Sequence, residues 1–200
     1  MGYPVTFDVE YPERLSRASV VLKVLFGWLY VGIPHGIVLY FYGIAAGIVT
    51  FIAFWAILFV AKFPRGMFDF VVGYNRWYNN VYAYYACLLR DEYPPFSSEQ
   101  TTYPVTFDVE YPERLSRGWV VLKVLFGWLY AGIPHGIILC LYGIAVVIVT
   151  FIAFWAILFT ARYPRGMFDF VVGFMRWSLN VTAYLGLLRD EYPPFSSKQK

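Results

Sequence analysis

The side chains of this sequence best suited to chemistry are two histidines, His35 and His135, each inside the same string GIPHGI. Neutral imidazole is the commonest protein ligand for metals. Two imidazoles at equivalent places in a repeated chain offer axial ligands to one haem iron from both sides, or to a chlorophyll-type magnesium each. One histidine per segment brings no supporting ligand spacing. The plainer reading is a satisfied polar group beside Pro34, which frees a backbone carbonyl one turn earlier. A gating or proton-carrying role is the third reading. No Ser/His/Asp set, phosphate loop, carboxylate pair or metal-ligand cluster can be assembled from the sequence, so it reads as no enzyme.

A second set lies further along each half. Asp69, Gly73, Arg76, Asn80, Ala83, Cys87 and Arg90 recur every three or four residues and form a narrow small-or-polar stripe on a helix. Asp69, Arg76 and Trp77, with Asp169, Arg176 and Trp177, are the candidates for contacting lipid headgroups or a partner. The Arg76–Trp77 neighbours read as a headgroup-level anchor pair. Cys87 and Cys140 are not at equivalent positions and read as apolar filler.

The elements that must position these groups follow from a repeat. Residues 3–84 align without gaps on 103–184 with 16 differences, after which the second copy is one residue shorter. The chain therefore divides into repeats 1–100 and 101–200. Composition is 60% hydrophobic, 22% aromatic and only 14% charged, far below the usual charged share of a soluble domain. Net charge is +3 with no polybasic run, which argues against nucleic acid. Residues 20–61 are apolar apart from Lys23, long enough for two crossings of about 20 residues each.

The fold class read from this pattern is all-α integral membrane, with two tandem transmembrane hairpins (about 19–61 and 119–161) giving four spans. An amphipathic, interfacial helix follows each hairpin, at about 67–90 and 167–189. A short strand opens each repeat, because Val5, Phe7 and Val9 alternate with Thr6, Asp8 and Glu10. The two strands are placed to pair. Arg14, Arg17 and Lys23 precede each apolar run, Lys62 and Arg65 follow it, and none lies between. These groups read as snorkelling flanks. The positive-inside rule then puts both termini, the helix flanks and the interfacial helices in the cytoplasm. The repeats should share one orientation about an axis along the membrane normal. Met1-Gly2 with Thr6 formally fits a myristoylation pattern, read here as incidental.

The strings YPVTFDVEYPERLSR, IPHGI, FWAILF, YPRGMFDFVVGFMRW and LLRDEYPPFS resemble a prokaryotic two-span membrane-domain family, the domain of unknown function numbered four-three-eight-nine. The resemblance covers nearly all of each repeat. It is carried most specifically by Arg65, Gly66, Phe68, Asp69, Phe70, Val72, Gly73, Arg76, Trp77, Asp91, Tyr93, Pro94, Pro95 and Phe96. It implies a bacterial or archaeal source and a multi-pass place in the cytoplasmic membrane, and it brings no activity.

The function expected is that of a non-enzymatic membrane scaffold or accessory subunit. Its partners are membrane lipids, other membrane subunits or further copies of itself; the cofactor is left open, with none the leading reading and haem or a chlorophyll-type pigment the other. The alternatives are a haem- or pigment-binding subunit of an electron-transfer or light-harvesting complex through His35 and His135, and a small transporter or channel.

Overall fold

The computed structural model describes residues 3–198. Met1 and Gly2, and with them the myristoylation pattern, lie outside the described residues. Strand β1 (Val5–Val9) buries alternate residues and pairs antiparallel with β2 (Val105–Val109). Phe7 lies opposite Phe107, at the centre of the register. The expected strands thus exist and join the repeats in one two-stranded sheet. An antiparallel pair centred on equivalent residues has a local twofold axis through it, and the rest of the molecule follows that symmetry.

Helix α1 (Arg17–Gly27) begins at Ser16, whose side chain accepts from the Ser19 amide at 3.3 Å. It passes through a π-helical turn, Trp28–Gly32, directly into α2 (Ile33–Val60). The result is one unbroken helix of 44 residues, matched by Arg117–Thr160 in the second repeat (α4, Arg117–Gly127; turn Trp128–Gly132; α5, Ile133–Thr160). The hairpin turn expected near residues 41–43 is not formed, and Tyr42 and Gly43 sit inside α2. The reason is local: nothing in LYFYGIAAG breaks a helix. Gly43 serves packing instead, since a Cβ there would stand 3.0 Å from the Tyr74 hydroxyl. Among the described residues two helices, rather than four, are long and apolar enough to cross a membrane.

Burial along the first long helix follows one line: Val20, Lys23, Gly27, Val31, His35, Leu39, Ala46, Ala53 and Ile57. Successive steps of four residues would drift about 40° each around a 3.6-residue helix. The wider π turn takes up that drift and keeps Lys23 and His35 on one face. Ala61, in the left-handed region at φ 57, ends the helix, and Pro64 starts α3 (Arg65–Val81).

Helix α3 packs between α2 and β2, and α6 (Arg165–Leu185) between α5 and β1. The layers are therefore sheet, short helices, long helices. The amphipathic helices exist, shorter than expected, but both of their sides are covered by protein. The extra residue of the first copy is absorbed by a second π turn, Tyr82–Ala86, closed by the Cys87 amide on the Tyr82 carbonyl at 3.1 Å. The second copy keeps α geometry there, with the Gly186 amide on the Thr182 carbonyl at 2.8 Å.

The long helices run antiparallel, because each start is bonded to the other's end. The Leu15 amide donates to the Ala161 carbonyl and the Leu115 amide to Ala61, both at 2.9 Å. Arg17 donates to the Phe159 carbonyl at 3.0 Å and Arg117 to Phe59 at 2.8 Å. The twofold axis is consequently perpendicular to both long helices.

Candidate functional site

His35 is fully buried and held by its own repeat. The Trp77 indole N–H donates to its Nδ1 at 3.0 Å, and Phe96 stacks on the ring at 3.8 Å between centroids. His135 repeats this with Trp177 at 3.0 Å and Phe195 at 3.9 Å. An indole nitrogen can only donate, so Nδ1 is the acceptor and the neutral ring carries its proton on Nε2. Nε2 is buried without a partner in both copies. An axial ligand needs a free lone pair aimed at the metal. Here one nitrogen is occupied by tryptophan and the other bears hydrogen, so the donor set does not fit haem or a pigment magnesium.

The polar stripe on α3 is divided among three separate tasks. Asp69 pairs with Arg65 one turn earlier at 3.1 Å, on the surface. Arg76 bridges the repeats: it donates to the Ser98 carbonyl of its own at 2.8 Å, and to the Phe107 carbonyl at 3.0 Å and the Asp108 carboxylate at 3.3 Å of the other. Arg176 does the same to Phe7, Ser197 and Asp8. Trp77 and Trp177 are buried against the histidines. Asp169 lies beside Arg165 at 3.0 Å. Arg76 and Trp77 therefore do not form an exposed anchor pair. They close the molecule on itself.

Lys23 does not snorkel outward either. Its fully buried ammonium donates to the Arg90 carbonyl and to Asp91 Oδ1 at 3.1 Å, and rests 4.2 Å from the centre of the Tyr84 ring. Asp91 Oδ2 accepts from the Ser16 amide at 2.5 Å. Arg90 grips Glu92 with two nitrogens and the Glu10 carbonyl with a third at 2.7 Å. The RDE segment thus ties the helix start, the strand and the chain after α3 together. The second repeat builds the same knot from Lys123, Asp190, Arg189 and Glu191. Hydrogen bonds from Arg189 hold the Glu191 carboxyl below its ordinary value. For Glu92 burial pushes upward, but Arg90 and backbone amides outweigh it and the carboxyl again ends low. A sequence signal existed for this knot: one lysine in an apolar run, and one acidic pair downstream.

A cleft of about 990 Å³ beside the sheet is lined by Tyr3, Arg176, Asn180, Arg189 and Glu191. Both of its arginines are engaged by the contacts above, each through three nitrogens.

What remains open is the outer side of the long helices. Opposite the buried line, residues from Leu22 to Val60 present Leu25, Trp28, Ile37, Phe41, Ile48, Phe51, Trp55 and Phe59, all exposed. Phe59 is 74% exposed and Phe41 65%. The only charge in this stretch, Lys23, points inward. The second long helix matches it, with Val147 70% and Phe159 72% exposed. Arg14, Arg17, Arg162 and Arg165 crowd one end of the helix pair, and Lys62, Arg65, Arg114 and Arg117 the other, all exposed.

The fold defines a tandemly duplicated, mainly helical protein with two helices apolar enough to cross a membrane. The chain belongs to the family described as Domain of unknown function (DUF4389), whose model matches residues 21–98 and again 122–197. No curated protein and no solved structure matches it.

Proposed function

We propose that this chain is a non-enzymatic membrane protein, a scaffold or accessory subunit that packs against lipid and against other membrane subunits or further copies of itself. The observation that carries this reading is the uncharged, exposed outer side of both long helices. Monomeric soluble proteins rarely expose contiguous apolar patches beyond a few hundred Å². Lys23, Arg76, Arg90 and their equivalents are engaged in internal contacts, and among the described residues no charged group lines the outer side of the long helices. A prokaryotic cytoplasmic membrane, with termini and basic helix ends on the cytoplasmic side, fits the basic residues at both ends of each long helix. Flotation of the full chain with membranes after an alkaline carbonate wash is the test. Retention supports the reading, and release into the soluble fraction overturns it.

A further inference from the structure

We infer that the long helices do not cross the bilayer but lie in its plane, sunk into a single anionic leaflet with the sheet facing water. This deepens the membrane reading above and rests on it. Three observations converge. The first is length. The uncharged outer side runs over about 60 Å at 1.5 Å per residue, twice the roughly 30 Å hydrocarbon core. Fitting it as a span demands a tilt of about 60°, outside the 0–40° range of crossing helices.

The second is continuity. A crossing helix of this length would show polar residues on the part outside the core. Here one line of the helix is buried by protein from Val20 to Ile57 and the opposite line is bare and apolar over the same distance. That is the pattern of a rod half-sunk along its whole length.

The third is charge. The helices are antiparallel, so crossing would place one basic end on each side of the membrane. Lying flat puts both ends, with Arg14, Arg17, Arg162 and Arg165 at one and their equivalents at the other, at one headgroup level. Asp8, Glu10, Asp108 and Glu110 line the exposed side of the sheet, on the far side of the short helices. The basic ends also carry the exposed Glu13 and Asp169 on one side and Glu113 and Asp69 on the other, so each end sets four basic groups against two acidic ones and stays net positive toward anionic lipid. The twofold axis stands along the membrane normal, as the positive-inside reading requires. A second copy laid lengthwise on the same face would instead press like-charged ends together.

The test is depth measurement on the full chain in vesicles of phosphatidylethanolamine and phosphatidylglycerol. Single nitroxide labels go on Leu25→Cys, Ile37→Cys, Ile48→Cys and Phe59→Cys, in a Cys87→Ser, Cys140→Ser background. The inference expects one common depth for all four, about 5–10 Å below the headgroups. A depth that rises to the bilayer centre near Ile37 and Ile48 and falls again overturns it while leaving the chain a membrane protein. Spin–spin broadening without lipid contact overturns it in favour of a second copy. Labels fully open to water overturn the membrane reading itself. The unlabelled chain gives a check free of substitutions: Trp28, Trp55, Trp128 and Trp155 should all be quenched by lipids brominated near the headgroup and by none brominated at the chain ends.

Discussion

The Trp77 indole N–H and His35 Nδ1 stand 3.0 Å apart in the buried interior, and Trp177 and His135 repeat the pair at the same distance. Each joins α3 or α6 to its long helix. Nitrogen-15 spectra of the imidazoles should show a protonated Nε2 and a bare, hydrogen-bonded Nδ1. Trp77→Phe removes the donor and leaves the acceptor buried, at a cost of about 1–3 kcal/mol in detergent unfolding. A protonated Nδ1 in the unaltered protein would refute the assignment and reopen metal ligation.

Gly66 and Gly73 lie on the same helix and should respond in opposite ways. A Cβ at Gly73 would come within 2.9 Å of Ser98 Cβ and 3.1 Å of the Tyr42 hydroxyl, whereas one at Gly66 meets nothing within 4 Å. Gly73→Ala should cost about 1–3 kcal/mol through overpacking. Gly66→Ala should add about 0.5–1 kcal/mol by restricting the unfolded chain. Equal effects in thermal unfolding would mean that the chain after α3 does not press on Gly73.

The Lys23–Asp91 pair is asymmetric. Lys23 is wholly enclosed, while the Asp91 side chain keeps 26% of its surface in solvent and also holds the Ser16 amide. Asp91→Ala strands a buried ammonium and should cost on the order of 3–5 kcal/mol. Lys23→Met leaves a carboxylate that still has a donor and water, and should cost about 1–2 kcal/mol. Denaturant titration of the two variants in the same detergent checks the order, and a reversed order would contradict the geometry.

Acid should loosen the RDE knot. Glu92 and Glu191 titrate below their ordinary value of 4.5 in the folded chain. Their contribution to stability is complete above that ordinary value and lost as pH falls through the depressed one. Melting temperature followed from pH 7 downward should therefore drop on the acid side of about 4.5. Glu92→Gln with Glu191→Gln should flatten the drop. An unchanged acid limb would assign it to other carboxylates.

Much of this was legible in the residues. Alternation in VTFDV gave the strands, and the repeat made their pairing natural. The apolar run announces a membrane-sized element, but its length is equally that of two spans or of one unbroken helix, because periodicity reports burial and not the direction a chain takes afterward. The stripe holding Asp69 and Arg76 was real, yet the partners that divide it, Phe107 and Asp108, lie in the other repeat. Contacts over such separations leave no local pattern. The inward turn of Lys23 is hidden from the sequence for the same cause, its acceptors being at Arg90 and Asp91.

The contacts between the repeats are reciprocal. Every β-strand here is gripped by an arginine of the opposite repeat, and each long helix is capped by the other's first residues. One repeat alone would have an unpaired strand, an Arg76 left with Ser98 only and a bare helix end. Two separate copies of it, exchanging the same contacts, would complete the same structure. The contacts that close the chain are thus of the kind two single repeats would exchange as a dimer, and the halves differ at the centre, where Asn75 and Asn79 on one side stand at the positions of Met175 and Leu179 on the other.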